Sequence, residues 1–219
     1  MNFGHQLARS QVDRLDLPDN ASEFLRVVKS IHGWIFGPTR LAFAGRFRQP
    51  GEPGVEYGHG LAGQARQGYE PERIEPELFA LFERDLRDQS TFESMAKEMV
   101  ARRCARFLEH FFRIHPFHDG NGRVARLLIR LIARRTKQYD YALVPGHHHG
   151  RDAYVKALEH AHRVLDEREN GVLDTRDPYG LLSSWLLRYL TATPHIEDLA
   201  EPEGAPFWLA TGEKNRDEQ

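Results

Sequence analysis

Two amphipathic runs joined by a short, glycine-bearing turn constrain this chain most. Before the turn, within Thr91–Arg113, residues Met99, Cys104, Phe107, Leu108, Phe111 and Phe112 supply a broad apolar face. After it, Val124, Leu127, Leu128, Leu131 and Ile132 recur at i, i+3, i+4, i+7 and i+8, the period of a helix with one buried side. Both helices need the same core, so the connecting His115-Pro-Phe-His-Asp-Gly-Asn-Gly122 is held at the edge of that core and ends at a helix N-terminus.

Such a terminus collects free backbone N–H groups and the positive end of the helix dipole, and glycines at 120 and 122 let an anion approach without meeting a Cβ. A di- or triphosphate suits this turn. Arg123 and Arg126, three apart on the first turn, present forked donors for terminal phosphate oxygens. Asp119 is a hard oxygen ligand of the kind Mg²⁺ accepts when phosphates complete its shell. His115 is a side chain able to take a proton from a hydroxyl at neutral pH. Pro116 stiffens the entry, and Phe117 anchors the loop. Taken singly, each of these has a plainer reading. A histidine beside Pro-Phe is commonly a packed loop residue, Gly-Asn-Gly is commonly a turn, and Arg123 and Arg126 could form a solvated face like the one expected of Arg130, Arg134 and Arg135. Together, at fixed spacing, they point to a nucleotide site.

The segment 115–126 resembles the Fic signature His-Pro-Phe-x-(Asp/Glu)-Gly-Asn-Gly-Arg-x-x-Arg at all nine specified positions. Flanking segments extend the likeness from about Ser22 to Leu190. Ser30-Ile-His-Gly-Trp-Ile-Phe36 and Ala42-Phe-Ala-Gly-Arg-Phe-Arg48 resemble the family's early helix and the entry to its target-docking flap, and Arg151–Leu158 its nucleotide-closing helix. The resemblance implies an all-α, Fic-type helical bundle with a short β-hairpin flap before the catalytic helices. It also implies a protein adenylyltransferase. His115 would deprotonate a Ser, Thr or Tyr hydroxyl of a target protein, Asp119 would hold Mg²⁺, and Gly120, Asn121, Gly122, Arg123 and Arg126 would cradle the phosphates of ATP. Tyr154 matches a wall of the base pocket, and Val55 and Tyr57 are candidates for docking a target segment along the flap. Family members that phosphorylate their targets carry Lys where this chain has Gly122, so glycine favours nucleotidyl transfer. Three alternatives stay open: another nucleotide donor, as in UMPylation; phosphorylation or removal of AMP; and a nucleotide-sensing regulatory protein.

Composition narrows the class. At 219 residues, 40% hydrophobic and 28% charged, the chain can bury a core as one domain. A net charge of -2 without a basic block leaves no footprint for nucleic acid or an anionic membrane. Lone Cys104 excludes an intrachain disulfide framework and reads as a buried small hydrophobe. The first ten residues lack the apolar core of a secretory signal, and no run approaches a membrane span, so the cytoplasm is expected. Delivery into another cell by a dedicated secretion machine would leave no mark in this sequence.

The expected organisation is an N-terminal extension (1–21), a Fic domain (22–193) and an acidic, Pro-rich tail (194–219) containing the apolar pair Phe207-Trp208. Ser22 is the expected N-cap of a helix that Gly37-Pro38 ends. The flap is expected at about 43–69, a stretch with seven glycines and two prolines, and the active-site loop at 115–122. Further helices are expected over Pro76–Leu86, Thr91–Arg113, Ala153–Leu165 and Tyr179–Leu190. His147-His-His149 reads as a surface loop, because consecutive histidines rarely converge on one ion. His160 and His162 read as partly exposed. Many Fic enzymes are restrained by a helix bearing (Ser/Thr)-x-x-x-Glu-(Gly/Asn). The nearest segment here, Thr193–Asp198 with Glu197, departs at its last position, so a separate inhibitory antitoxin partner or an unrestrained enzyme is expected.

Overall fold

The computed structural model describes residues 3–39, 41–58, 65–135 and 148–191. Seven helices and one hairpin follow in order: α1 (Phe3–Val12), α2 (Ala21–Phe36), β1 (Glu56–Tyr57), β2 (Arg66–Gln67), α3 (Pro71–Asp85), α4 (Lys97–Ile114), α5 (Asn121–Arg135), α6 (His148–Glu169) and α7 (Gly180–Thr191). The architecture is the helical bundle with a small antiparallel hairpin that the sequence implied.

Helix α4 is the axis of the bundle, packing against α3, α5, α6 and α7. Val100, Cys104, Phe107, Leu108, Phe111 and Ile114 are buried along it. Phe24 of α2 meets Phe82 of α3 at 5.5 Å and the edge of Phe107 at 6.2 Å, which fixes three helices around one aromatic cluster. Each such ring contributes roughly 1.5–3 kcal/mol of burial.

Several boundaries differ from those read in the sequence. The N-cap of α2 is Asn20, whose side-chain oxygen accepts from the Glu23 N–H at 2.9 Å; Ser22 is already helical. Helix α3 starts at Pro71, which fits the first turn, and carries Pro76 in its second turn at the loss of one ladder bond. Residues Gln89–Ser94 form a 3₁₀ turn, so α4 begins only at Lys97. Helix α6 is longer than expected, and His148 and His149 open it rather than lying in a loop.

Residues 3–17 are part of the core. Ala8, Val12 and Leu17 are buried, and α1 packs on α2 and α5. Arg130 and Arg134, read as a solvated face, hold α1 in place. Arg130 Nε donates to Asp13 at 2.6 Å and Arg134 Nη1 to the Val12 carbonyl at 2.9 Å. His162 is likewise not half-exposed but buried on α6, its Nδ1 3.0 Å from Glu109, whose acidic side chain gives the ring a polar neighbour inside the bundle. No helix among the described residues is long and apolar enough to cross a membrane. His147, the Thr193–Asp198 segment and the tail from 194 lie outside the described residues.

Candidate active site

The loop between α4 and α5 is built by three devices. The first is a strained helix end. His115 follows α4 with φ 48° and ψ 61°, the only positive-φ non-glycine among the described residues, in a position where helices usually place glycine. Arg48 holds it there. This guanidinium, 2% exposed, donates from Nε to the His115 carbonyl at 2.8 Å and from Nη2 to the Ile114 and Tyr69 carbonyls at 3.2 and 2.5 Å. The Arg48 backbone N–H adds a bond to the Pro116 carbonyl at 2.9 Å. A cation on the last carbonyls of α4 also complements the helix dipole.

The second device is Asn121, 3% exposed, whose amide brackets Phe117. Its Oδ1 accepts from the Phe117 N–H at 3.0 Å and its Nδ2 donates to the Phe117 carbonyl at 2.7 Å. The side chain expected to cradle phosphate thus closes the loop on itself. The third is His32 of α2, fully buried. The Gly45 N–H donates to its Nδ1 at 2.8 Å, so Nε2 carries the proton and donates to the Asp119 carbonyl at 3.1 Å, while the ring stacks on Phe117 at 3.9 Å. His32 went unread in the sequence. It is the one polar residue in the buried set Phe24, Val28, Ile31, His32 and Ile35 of α2, and that interruption was its available signal. Glycine is required at 120: φ is 80°, and a Cβ would lie 2.5 Å from the Phe36 ring.

On this frame the charged groups converge at the start of α5. Arg123 is 5% exposed, pairs with Asp119 Oδ2 at 3.0 Å and lies over the Phe36 ring at 4.3 Å, so its guanidinium is fixed on two sides. The other Asp119 oxygen accepts from the Gly120 N–H. Gly122 lies in the first turn, where a Cβ would sit 3.4 Å from Arg126 Nη1, in ordinary van der Waals contact. His118 reaches Glu52 at 2.8 Å, tying the loop to the segment that leads into the hairpin. Among the described residues no three His, Cys, Asp or Glu side chains come together as a metal site. Asp119 alone, half-exposed, fits an Mg²⁺ that arrives with phosphates rather than one caged by protein.

The state of His115 follows from its surroundings. Its Nδ1 faces the Phe112 carbonyl at 3.3 Å, a partner that only accepts, so the proton sits on Nδ1 and the Nε2 lone pair is left for chemistry. Burial pushes the ring's pKa down to about 4, the Phe112 hydrogen bond opposes that shift, and the charge of Arg48 adds to it. The imidazole is therefore neutral at pH 7.

Beside it, β1 and β2 pair antiparallel with Glu56 opposite Gln67 and Tyr57 opposite Arg66. Val55 is half-buried, its carbonyl accepting from the Gly68 N–H at 2.9 Å. Tyr57 is 9% exposed and lies parallel to the His115 ring, 4.8 Å between centroids at 13°. Tyr154 of α6, expected along the base pocket, is buried against Trp185 of α7 at 4.8 Å, and its hydroxyl has no hydrogen-bond partner among the described residues.

The family model described as Fic/DOC family matches residues 23–133, half of the chain. The chain belongs to the Fic/DOC family. The match runs from the start of α2 to the end of α5 and so contains the hairpin and the whole Fic loop. A Fic family protein from Desulfovibrio desulfuricans superposes with a TM-score of 0.52 at 19% identity, over 84% of this chain and 49% of that one. A Fic-1 structure from C. elegans gives 0.48 at 20% identity, over 86% and 46%. The chain thus spans about half the length of these two proteins, and the first likeness bears on the Fic fold alone. No curated protein matches the sequence.

Proposed function

We propose that this Fic domain transfers AMP from ATP to a Ser, Thr or Tyr hydroxyl of a target protein. The observation that carries the reading is the state of His115: a neutral imidazole with Nδ1–H directed at the Phe112 carbonyl and Nε2 free, at the end of a glycine turn that opens α5.

In this mechanism Nε2 takes the proton of the target hydroxyl as its oxygen attacks the α-phosphorus. The bond from the α-phosphorus to the β-bridging oxygen breaks, and pyrophosphate leaves with that electron pair. Neutrality in the ligand-free protein keeps the lone pair available at pH 7, and the negative charge of bound ATP raises the ring's proton affinity when it is needed. General-base help of this kind contributes roughly 10²- to 10⁴-fold, and positioning supplies much of the rest. Backbone N–H groups at the start of α5, with Arg123 and Arg126, receive the phosphates. Asp119 would hold Mg²⁺, which supplies charge neutralisation on the leaving pyrophosphate. Asp119 Oδ2 pairs with Arg123 in the ligand-free protein; with an ion held by that carboxylate, the guanidinium would be available to phosphate oxygen. Glycine at 122 supports nucleotidyl rather than phosphoryl transfer, because the family members that phosphorylate their targets carry Lys at that place.

The test is intact-mass analysis of the purified protein and a His115→Ala variant, each incubated with Mg²⁺ and ATP, alone and with lysate proteins. Addition of one AMP unit that depends on His115 is the expected result. ATP binding without any AMP transfer would overturn the proposal and favour another donor or a regulatory binder.

A further inference from the structure

Catalytic histidines are usually aimed by a carboxylate or a short hydrogen bond to the ring nitrogen that does not react. Among the described residues His115 has neither. The polar contact of its ring, Nδ1 to the Phe112 carbonyl, is 3.3 Å long, beyond the normal range for such a bond and a weak restraint on ring rotation. What does confine the ring comes from the hairpin.

Tyr57 covers one face of the imidazole, near-parallel at 4.8 Å. Behind Tyr57 stands the edge of His162 at 5.7 Å, itself held by Glu109, so the tyrosine cannot retreat. The strand leaving the hairpin closes a second side. A Cβ at Gly68 would lie 2.8 Å from the His115 Cβ and 3.0 Å from Arg48 Nη2. Tyr69, next in the chain, donates its N–H to the Arg113 carbonyl at 3.2 Å and gives its own carbonyl to Arg48. The hairpin is in turn fixed to α6, where Arg66 pairs with Asp166 at 3.1 Å and Asp166 with Arg113 at 2.8 Å.

We infer that Tyr57 is a positioning residue for His115: the hairpin aims the base by stacking on it, in the role a carboxylate fills elsewhere, instead of presenting Tyr57 to a target. This rests on the adenylyltransferase reading above. It makes the flap and the base one mechanical unit, so a displacement of the hairpin rotates the ring and disorders its Nε2 lone pair.

The experiment compares wild type with Tyr57→Phe, Tyr57→Leu and Gly68→Ala. Gly68 is not one of the positive-φ glycines, so alanine there acts through its contacts with His115 and Arg48 rather than through backbone strain. Two readouts are taken. Nitrogen-15 NMR of the ligand-free protein reports the His115 tautomer, and self-labelling with Mg²⁺ and ATP gives kcat and the KM for ATP. The expected result is a single Nδ1–H tautomer in wild type and Tyr57→Phe, and mixed tautomers in Tyr57→Leu and Gly68→Ala. In those two variants kcat falls roughly 10- to 100-fold, the scale of a misplaced catalytic group, with KM for ATP unchanged. An unchanged tautomer in Tyr57→Leu overturns the inference and returns Tyr57 to target docking. If wild type labels with no nucleotide, the functional reading fails, while the tautomer measurement still decides the role of Tyr57. Should Tyr57→Leu not fold, the same tautomer measurement on Tyr57→Met, which also removes the ring, decides it in the same way.

Discussion

A non-glycine residue at φ 48° persists only where its surroundings over-determine it, and such strain is of order 1–3 kcal/mol. At His115 the surroundings are Arg48 on the backbone and Tyr57 and Gly68 on the side chain. Of these, the motif itself displays none. The sequence announced His115 as a base because the residues that surround it are contiguous, but the residues that hold its backbone and confine its ring come from 48, 57 and 68, and only tertiary structure joins them. The same holds for Asn121, whose two bonds to Phe117 make it a closure of the loop; its spacing to Phe117 was visible, its partner was not. A consequence belongs to this scale. With a pKa near 4 in the free protein, His115 loses its lone pair only in strong acid. The acid limb of kcat/KM for ATP, which reports the ATP-free protein, is therefore expected near pH 4, well below the ordinary histidine value of ~6.5. A pH–rate profile checks this, and a limb at the ordinary value would mean that the ring is solvated.

Between elements, His32 is the joint that sets α2 against the loop. It offers a donor to Asp119, an acceptor to Gly45 and a face to Phe117, three roles that a fully buried ring fills at once. His32→Phe keeps the stack and deletes both hydrogen bonds, leaving a buried N–H and a carbonyl without partners. Each such orphan costs about 1–3 kcal/mol, so urea denaturation should show a loss of that order or somewhat more, together with weaker ATP binding by titration calorimetry. A variant of wild-type stability would show that water fills the gap. The amphipathic periods of α4 and α5 were readable because each buries a single stripe. Helix α1 was not, because its apolar residues Ala8 and Val12 gain their meaning only from α2 and α5, and its anchors Asp13 and Arg130 are 117 positions apart in the chain.

For the molecule as a whole, three histidines, His32 buried and His5 and His115 partly buried, share one tendency. His5, His32 and His115 are each held neutral, with pKa values lowered to about 4, chiefly by burial. In the unfolded chain they take up protons near pH 6.5, so unfolding binds protons between those values. Their contribution to stability is complete above about pH 6.5 and is lost as pH falls towards 4. Within that window each contributes a slope of up to about 1.4 kcal/mol per pH unit. Thermal melts at pH 7, 6, 5 and 4.5 should show Tm falling progressively, and more shallowly in His32→Phe. A flat Tm over this range would show that the three rings are open to solvent in the native state. The bundle and its loop were legible from the sequence because periodicity and the nine motif positions are local patterns; the burial of these histidines is a property of the assembled core.

One guanidinium, that of Arg48, fastens the chain where it enters the hairpin segment and, through Tyr69, where it leaves. Whatever lies between is a closed loop with both ends fixed, and closing such a loop becomes harder only by about 0.6 kcal/mol for each doubling of its length. The stretch from 48 to 69 is thus a cassette that tolerates added length between its fixed ends at small thermodynamic expense, provided Tyr57 and Gly68 keep their places beside His115.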